Sequence, residues 1–212
     1  MITFRDLRTL EDVSEWMVSL KTRWPERVAV MQHIIEQIKA LPFPEPQVVE
    51  LGSGPGLLAE LLLQEAPKVT YTGIDSSELL LAFAGSQLAP FGRRARLIGA
   101  DLKGDGWLNQ LPAEIHAIVS LQSLHDLDDE DQIKRIYGLA RRLLAPGGLL
   151  LNADFVISPD GTEPGHPGRL SVARHLEMLQ AYGFERVACT LRQGAFGCCV
   201  AFAPVRAARM ID

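Results

Sequence analysis

Positions 50–56 read Glu-Leu-Gly-Ser-Gly-Pro-Gly, and the residue types there can bind rather than only fold. Glycines at 52, 54 and 56 let the chain turn with dihedrals closed to other residues and let a ligand approach the backbone. If a helix begins just after them, its unpaired N–H groups face the same point. Sharp strand-to-helix turns also occur without ligands, so other groups must decide what this one does. Asp75, followed by Ser76, lies about 20 residues further on, where an acid can accept both hydroxyls of a ribose. Asp101 and Leu102 close the run Gly-Ala-Asp-Leu and would stand beside Asp75. The stretch 120–126, Ser-Leu-Gln-Ser-Leu-His-Asp, brings Ser120, Leu121, His125 and Asp126 toward the glycine turn. His125 titrates near neutrality and is the candidate acid or base, with Asp126 or Asp154 placed to orient it.

These groups converge only if strands and helices alternate. Val48, Val49, Glu50 and Leu51 form a short apolar run fit for a buried strand, and residues 56–65 a helix leaving the turn. The alternation continues with a strand at 69–74, a helix at 77–88 and a strand at 95–100, which implies a parallel sheet. A short helical piece near Trp107, a strand at 115–120 and a helix over about 128–144 follow. Asp128, Asp129, Glu130 and Asp131 suit that helix's N-terminus and Arg141 and Arg142 its C-terminus, with Pro146-Gly147-Gly148 ending it. A strand at 149–155 leads into the proline- and glycine-rich loop 156–169, which holds His166 and has the length of a functional lid. Ser171 caps a helix ending at Gly183. Strands at 185–192 and 196–203, with no helix between them, must form an antiparallel hairpin.

Two helices precede the first strand. Thr9 and Asp12 cap one over about 10–20, and Pro25 opens a second whose apolar stripe runs from Val28 to Leu41. His33 falls on the polar face of the second helix and reads as solvated. Trp24, between the two, is either a core anchor or an aromatic wall of a pocket. Three prolines in 41–47 separate residues 1–46, a helical extension over the substrate site, from a main domain over 47–212.

The totals exclude several classes. At 212 residues the chain suits one core with a small appended element. With 21 basic against 26 acidic residues, it has no cationic footprint for nucleic acid or an anionic membrane. The cluster Arg93, Arg94 and Arg96 reads as a solvated loop. The cysteines, Cys189, Cys198 and Cys199, are odd in number and lack metal-ligand spacing, so buried reduced thiols and no metal site are expected. No signal peptide or membrane span is evident, which points to a cytoplasmic location.

In motif order and kind, residues 47–204 resemble the class I S-adenosylmethionine-dependent methyltransferases. The resemblance implies a doubly wound α/β, Rossmann-like sheet of seven strands in the order 3-2-1-4-5-7-6, the terminal hairpin inserting antiparallel. It implies that 52–56 (Gly52, Ser53, Gly54 and Gly56 among them) meet the methionine part of S-adenosylmethionine and that Glu50 holds its amino group. Asp75 and Ser76 would take the ribose, Asp101 and Leu102 the adenine, and Ser120 and Leu121 would line the site after strand four. His125 would be the base, with Trp24, Asp126 and Asp154 toward the acceptor. The run 120–123 is not the Asn/Asp-Pro-Pro-Tyr pattern of methyltransferases acting on exocyclic or amide nitrogens, so a small-molecule acceptor is expected. S-adenosylhomocysteine would be the product; oligomeric state is not readable.

Two other functions fit parts of the pattern. A nicotinamide-dependent oxidoreductase shares the strand, glycine turn and acid, but no Tyr-x-x-x-Lys pair is present. A protein that binds S-adenosylmethionine without transferring methyl shares the whole cofactor side.

Overall fold

In the computed structural model, residues 3–127, 129–157 and 168–205 are described. Seven strands, β1 (Gln47–Leu51), β2 (Thr70–Asp75), β3 (Ala95–Gly99), β4 (Ile115–Leu121), β5 (Leu144–Phe155), β6 (Glu185–Gln193) and β7 (Phe196–Phe202), form one sheet. Their order is β3-β2-β1-β4-β5-β7-β6, as the resemblance implies. β1 to β5 pair in parallel, and β7 runs antiparallel between β5 and β6. The order reverses between β1 and β4, and in such sheets ligands settle in the crevice outside the strand ends at that reversal.

Among the described residues the α-helices are α1 (Leu10–Arg23), α2 (Arg27–Lys39), α3 (Leu57–Glu65), α4 (Glu78–Leu88), α5 (Glu130–Leu143) and α6 (Val172–Ala181), of which α2 to α6 flank the sheet. The two-residue period of each strand divides its side chains between two cores. Val48, Tyr71, Val119 and Leu151 pack with Ile34 and Ile38 of α2 and Leu58 and Leu62 of α3. Val49, Ile74, Ile118 and Leu150 pack on the opposite face with Ile133 and Ile136 of α5 and Leu179 of α6. The apolar stripe of α2 is thus part of the sheet's own core. α1 instead packs on α4, through Val13 against Leu80.

The sequence-based boundaries shift in informative places. Thr9 and Ser171 cap α1 and α6 as expected, each accepting the third backbone N–H beyond it. α5 is capped by Asp129 and ends at Leu143; Asp128 lies outside the described residues. Residues 144–148 do more than stop that helix. Leu144 already pairs with Ile115, Gly147 donates to the Ala203 carbonyl and Gly148 accepts from Ala203, so β5 begins five residues before 149, kinked at Gly147 (φ +78°). His33 is bonded at 2.7 Å to Thr190 of β6 rather than simply solvated. Arg94 is held by the carbonyls of Leu63, Ala66 and Val69, and Arg96 by that of Gln110, so this cluster braces the fold. Among the described residues no helix is long and apolar enough to cross a membrane.

Candidate active site

The loop from β1 to α3 is tied to β2. Gly52 and Ser53 both donate to the Ile74 carbonyl (2.8 and 2.9 Å), and Gly54 donates to the Asp75 carboxylate (2.8 Å). The second Asp75 oxygen accepts from Ser77 N at the start of α4 (2.9 Å). Asp75 therefore fixes the loop as well as facing the site, and its burial, offset by the N–H groups of Ser77 and Gly54, raises its pKa. Gly52 has φ +71°, and a Cβ there would collide with the Ser123 side chain. At Gly54, φ +54°, an added Cβ would meet open space. Gly56 (φ +85°) serves packing: a Cβ there would come within 3.2 Å of Ala84 of α4, and it lines neither of the two cavities described next.

Two neighbouring cavities open at the carboxyl edge of the sheet and share Gly52, Asp75, Ser123 and Asp126. The smaller, about 230 Å³, is lined also by Ser76, Asp101 and Leu102. Asp101 caps its own turn by accepting from Lys103 N (2.9 Å), and the apolar Leu102 is buried beside it. The larger, about 430 Å³, is walled by Ser53, Gly54 and Leu121 on one side and by Trp24, His125 and Phe155 elsewhere. Trp24 faces this cavity and also packs on Phe155 with ring centroids 4.6 Å apart.

Three expected site residues stand behind the walls. Glu50 is 2% exposed and accepts from the Tyr71 hydroxyl at 2.6 Å. Burial pushes its carboxyl up to about 8, against the Tyr71 hydrogen bond and the Arg27 charge and with the Asp75 charge. Ser120 is buried and lines neither cavity. Asp154, also buried, accepts from His125 twice, from Nδ1 at 2.6 Å and from the backbone N–H at 2.9 Å. It positions His125 and lines neither cavity. Asp126 lines both, with one oxygen 3.4 Å from His125 Nε2 and the other 3.5 Å from Arg5. Burial pulls the His125 imidazole down, but the charge and hydrogen bond of Asp154 and the charge of Asp126 outweigh it, and its pKa is raised. His166 lies outside the described residues.

Several lining residues had no signal in the sequence. Gln122, just past β4, holds φ +57°, a conformation rare for a side-chain-bearing residue and typical of strained functional loops. Its side chain accepts from Arg27 Nη1 at 2.7 Å. Arg5, Arg23, Arg27 and Arg169 all line the larger cavity. Burial lowers the Arg27 pKa, with Glu50 acting the other way. Gly168 passes so close to the His125 backbone that any Cβ would overlap the carbonyl. No cluster of His, Cys, Asp and Glu able to hold a metal occurs among the described residues.

The doubly wound order, the bound-in glycine loop and paired cavities sharing Asp75 and Asp126 fit a site for a nucleoside-bearing ligand. Residues 48–148 match the family described as Methyltransferase domain. The trans-aconitate 2-methyltransferase of Variovorax paradoxus is 32% identical over 172 residues, 80% of this chain and 60% of that protein. The malonyl-[acyl-carrier protein] O-methyltransferase of Chlorobium phaeovibrioides is 34% identical over 113 residues, 52% of this chain and 41% of that protein. The chain thus spans about half the length of these two curated relatives. A crystal structure of the S-adenosylmethionine-dependent methyltransferase SibL superposes with a TM-score of 0.71 at 20% identity, over 92% of this chain and 58% of that one. Residues 48–148 are thus a methyltransferase domain, and the fold around them is that of the S-adenosylmethionine-dependent methyltransferases.

Proposed function

We propose that this chain transfers a methyl group from S-adenosylmethionine to a small-molecule acceptor. The carrying observation is the pair of cavities meeting at Gly52 and Asp75, one suited to a nucleoside and the other large enough for an acceptor. The cofactor supplies an activated, electrophilic methyl group on a sulfonium sulfur. Ser53 and Gly54 would hold its amino-acid end, Asp75 and Ser76 the ribose, and Asp101 and Leu102 the adenine. Glu50 reaches that amino group only through an intervening group, since Tyr71 and the strand cover it.

What remains for the protein is alignment in a dry space, and Trp24 and Phe155 provide apolar walls for it. An acceptor that arrives protonated needs a base, and His125, oriented by Asp154, is the group placed for that. One relative is named for trans-aconitate, a free small molecule, which supports a compact polar substrate here; the other is named for a malonyl group on an acyl-carrier protein. We read residues 1–46 as partly a cap: α1 closes over the site while α2 belongs to the core. A cytoplasmic setting and independence from nucleic acid and membrane are part of the same reading.

Calorimetric titration with S-adenosylhomocysteine and with NAD tests the cofactor. Binding of NAD alone would replace this reading with a dehydrogenase. S-adenosylhomocysteine binding without transfer of labelled methyl to any metabolite fraction would leave a binding protein.

A further inference from the structure

The loop after β4 joins the two cavities, and its course turns on one residue. Ser123 and Asp126 line both cavities, and His125 lines the larger. Ser123 stands so close to Gly52 that a Cβ on the glycine would overlap its hydroxyl, so this loop also backs the glycine turn. The chain enters the loop through Gln122, at φ +57°. Glycine adopts that conformation freely and asparagine and aspartate tolerate it, whereas a glutamine is strained there and relaxes when released.

Two bonds hold Gln122, and they come from different parts of the chain. Its backbone N–H donates to the Ala153 carbonyl of β5 at 2.8 Å. Its side-chain Oε1 accepts from Arg27 Nη1 at 2.7 Å, a bond strengthened by the guanidinium charge. With the N–H fixed, a change of φ swings the Cβ and every atom that follows. Pinning the side chain as well removes that freedom. Arg27 is suited to be the fixed end. It is the first residue of α2, its own N–H donates to the Trp24 carbonyl at 3.0 Å, and fully buried Ile34, Ile35 and Ile38 set α2 in the sheet core. Trp24 packs in turn on Phe155, two residues beyond Ala153. Both anchors of Gln122 therefore belong to packed elements.

Resting on the methyltransferase reading of this site, we propose that Arg27 is a positioning residue. By holding the Gln122 side chain it keeps residue 122 left-handed, and so sets Ser123 against the cofactor turn and His125 at the larger cavity. Arg27 acts through Gln122 and not on the ligand. A glycine at 122 would make the turn without a clamp; with glutamine there, the site is complete only while a helix 95 positions away in sequence is seated on the sheet.

Calorimetric titration of S-adenosylhomocysteine into the full chain and its variants tests this, with circular dichroism and melting temperature reporting folding. Gln122→Ala keeps the strain and loses the clamp, and should weaken binding about 5- to 10-fold. Gln122→Gly removes strain and clamp together, and should bind about threefold or more tighter than Gln122→Ala. Arg27→Met fills similar space without a donor. It should weaken binding about 5- to 10-fold in the wild-type background and less than about twofold in the Gln122→Gly background. Arg27→Lys, which can still donate, should lose less than Arg27→Met. If Arg27→Met fails to fold, Arg27→Gln takes its place in the same comparison. The His125 ring NMR signal should move in Gln122→Ala and Arg27→Met, which a role in stability alone would not produce. An arginine that only packs, or that contacts the cofactor directly, would cost the same in both backgrounds. That result, equal losses from Gln122→Ala and Gln122→Gly, no loss in any variant, or an unmoved His125 signal would overturn the assignment and leave the methyltransferase reading standing. A wild-type chain that binds no S-adenosylhomocysteine would instead remove that reading and this one with it.

Discussion

Replacing Asp154 by Asn should invert the direction in which the site shifts His125. The imidazole is 11% exposed and the carboxylate 2%, so solvent screens the pair little. A buried hydrogen bond to a charged group is worth about 1.5–3 kcal/mol, and one pKa unit corresponds to about 1.36 kcal/mol. Removing the charge should therefore lower the His125 pKa by about one to two units. Burial remains in the variant, so the pKa should fall from above the ordinary 6.5 to below it. Proton–carbon NMR titration of the five histidines, with His125→Gln to identify the signal, reads this directly. A stability effect must accompany it. The folded-state pKa is raised, so the pair's stabilisation is complete below about 6.5 and fades as pH rises through the folded value. Both Asp154 oxygens also accept backbone N–H groups, of His125 and Phe155, and an amide can serve only one, at a cost of about 1–3 kcal/mol at any pH. Denaturant unfolding should thus show the variant destabilised at pH 9 and more so at pH 6. A His125 pKa unchanged or higher in Asp154→Asn, or a stability gap that widens with pH, would refute the reasoning.

Gly52→Ala should abolish S-adenosylhomocysteine binding, because the new methyl overlaps Ser123 and the residue has φ +71°; adding Ser123→Gly removes the overlap but not the backbone strain, so calorimetry should show partial recovery. Asp75→Ala removes the acceptor for both Gly54 and Ser77 N–H groups, and is expected to weaken S-adenosylhomocysteine at least about tenfold and to lower the melting temperature by several degrees. Glu50→Gln should raise the melting temperature of the ligand-free protein above that of the wild type at pH 8.5 and not at pH 4.5. The wild-type carboxyl, held near 8 when folded, loses stability as pH rises through that window, and an amide does not titrate.

The sequence made legible what depends on local rules. A glycine run after an apolar strand, an acid at the end of the next strand and helix caps at Thr9 and Ser171 are each fixed by neighbours within a few residues, and each stands where its pattern placed it. The sheet order came through resemblance, since strand spacing says nothing about which strands are adjacent. What stayed hidden depends on contacts between distant segments. Arg27 and Gln122 are 95 positions apart, and helical periodicity places Arg27 on a polar flank without saying what lies across from it. The sequence offers Asp154 both as a group to orient His125 and as one toward the acceptor; that it also accepts the His125 backbone N–H depends on the chain 29 residues earlier folding back over it. Glu50 read as a cofactor acid from its motif, and only the pairing of β1 with β2 shows Tyr71 covering it.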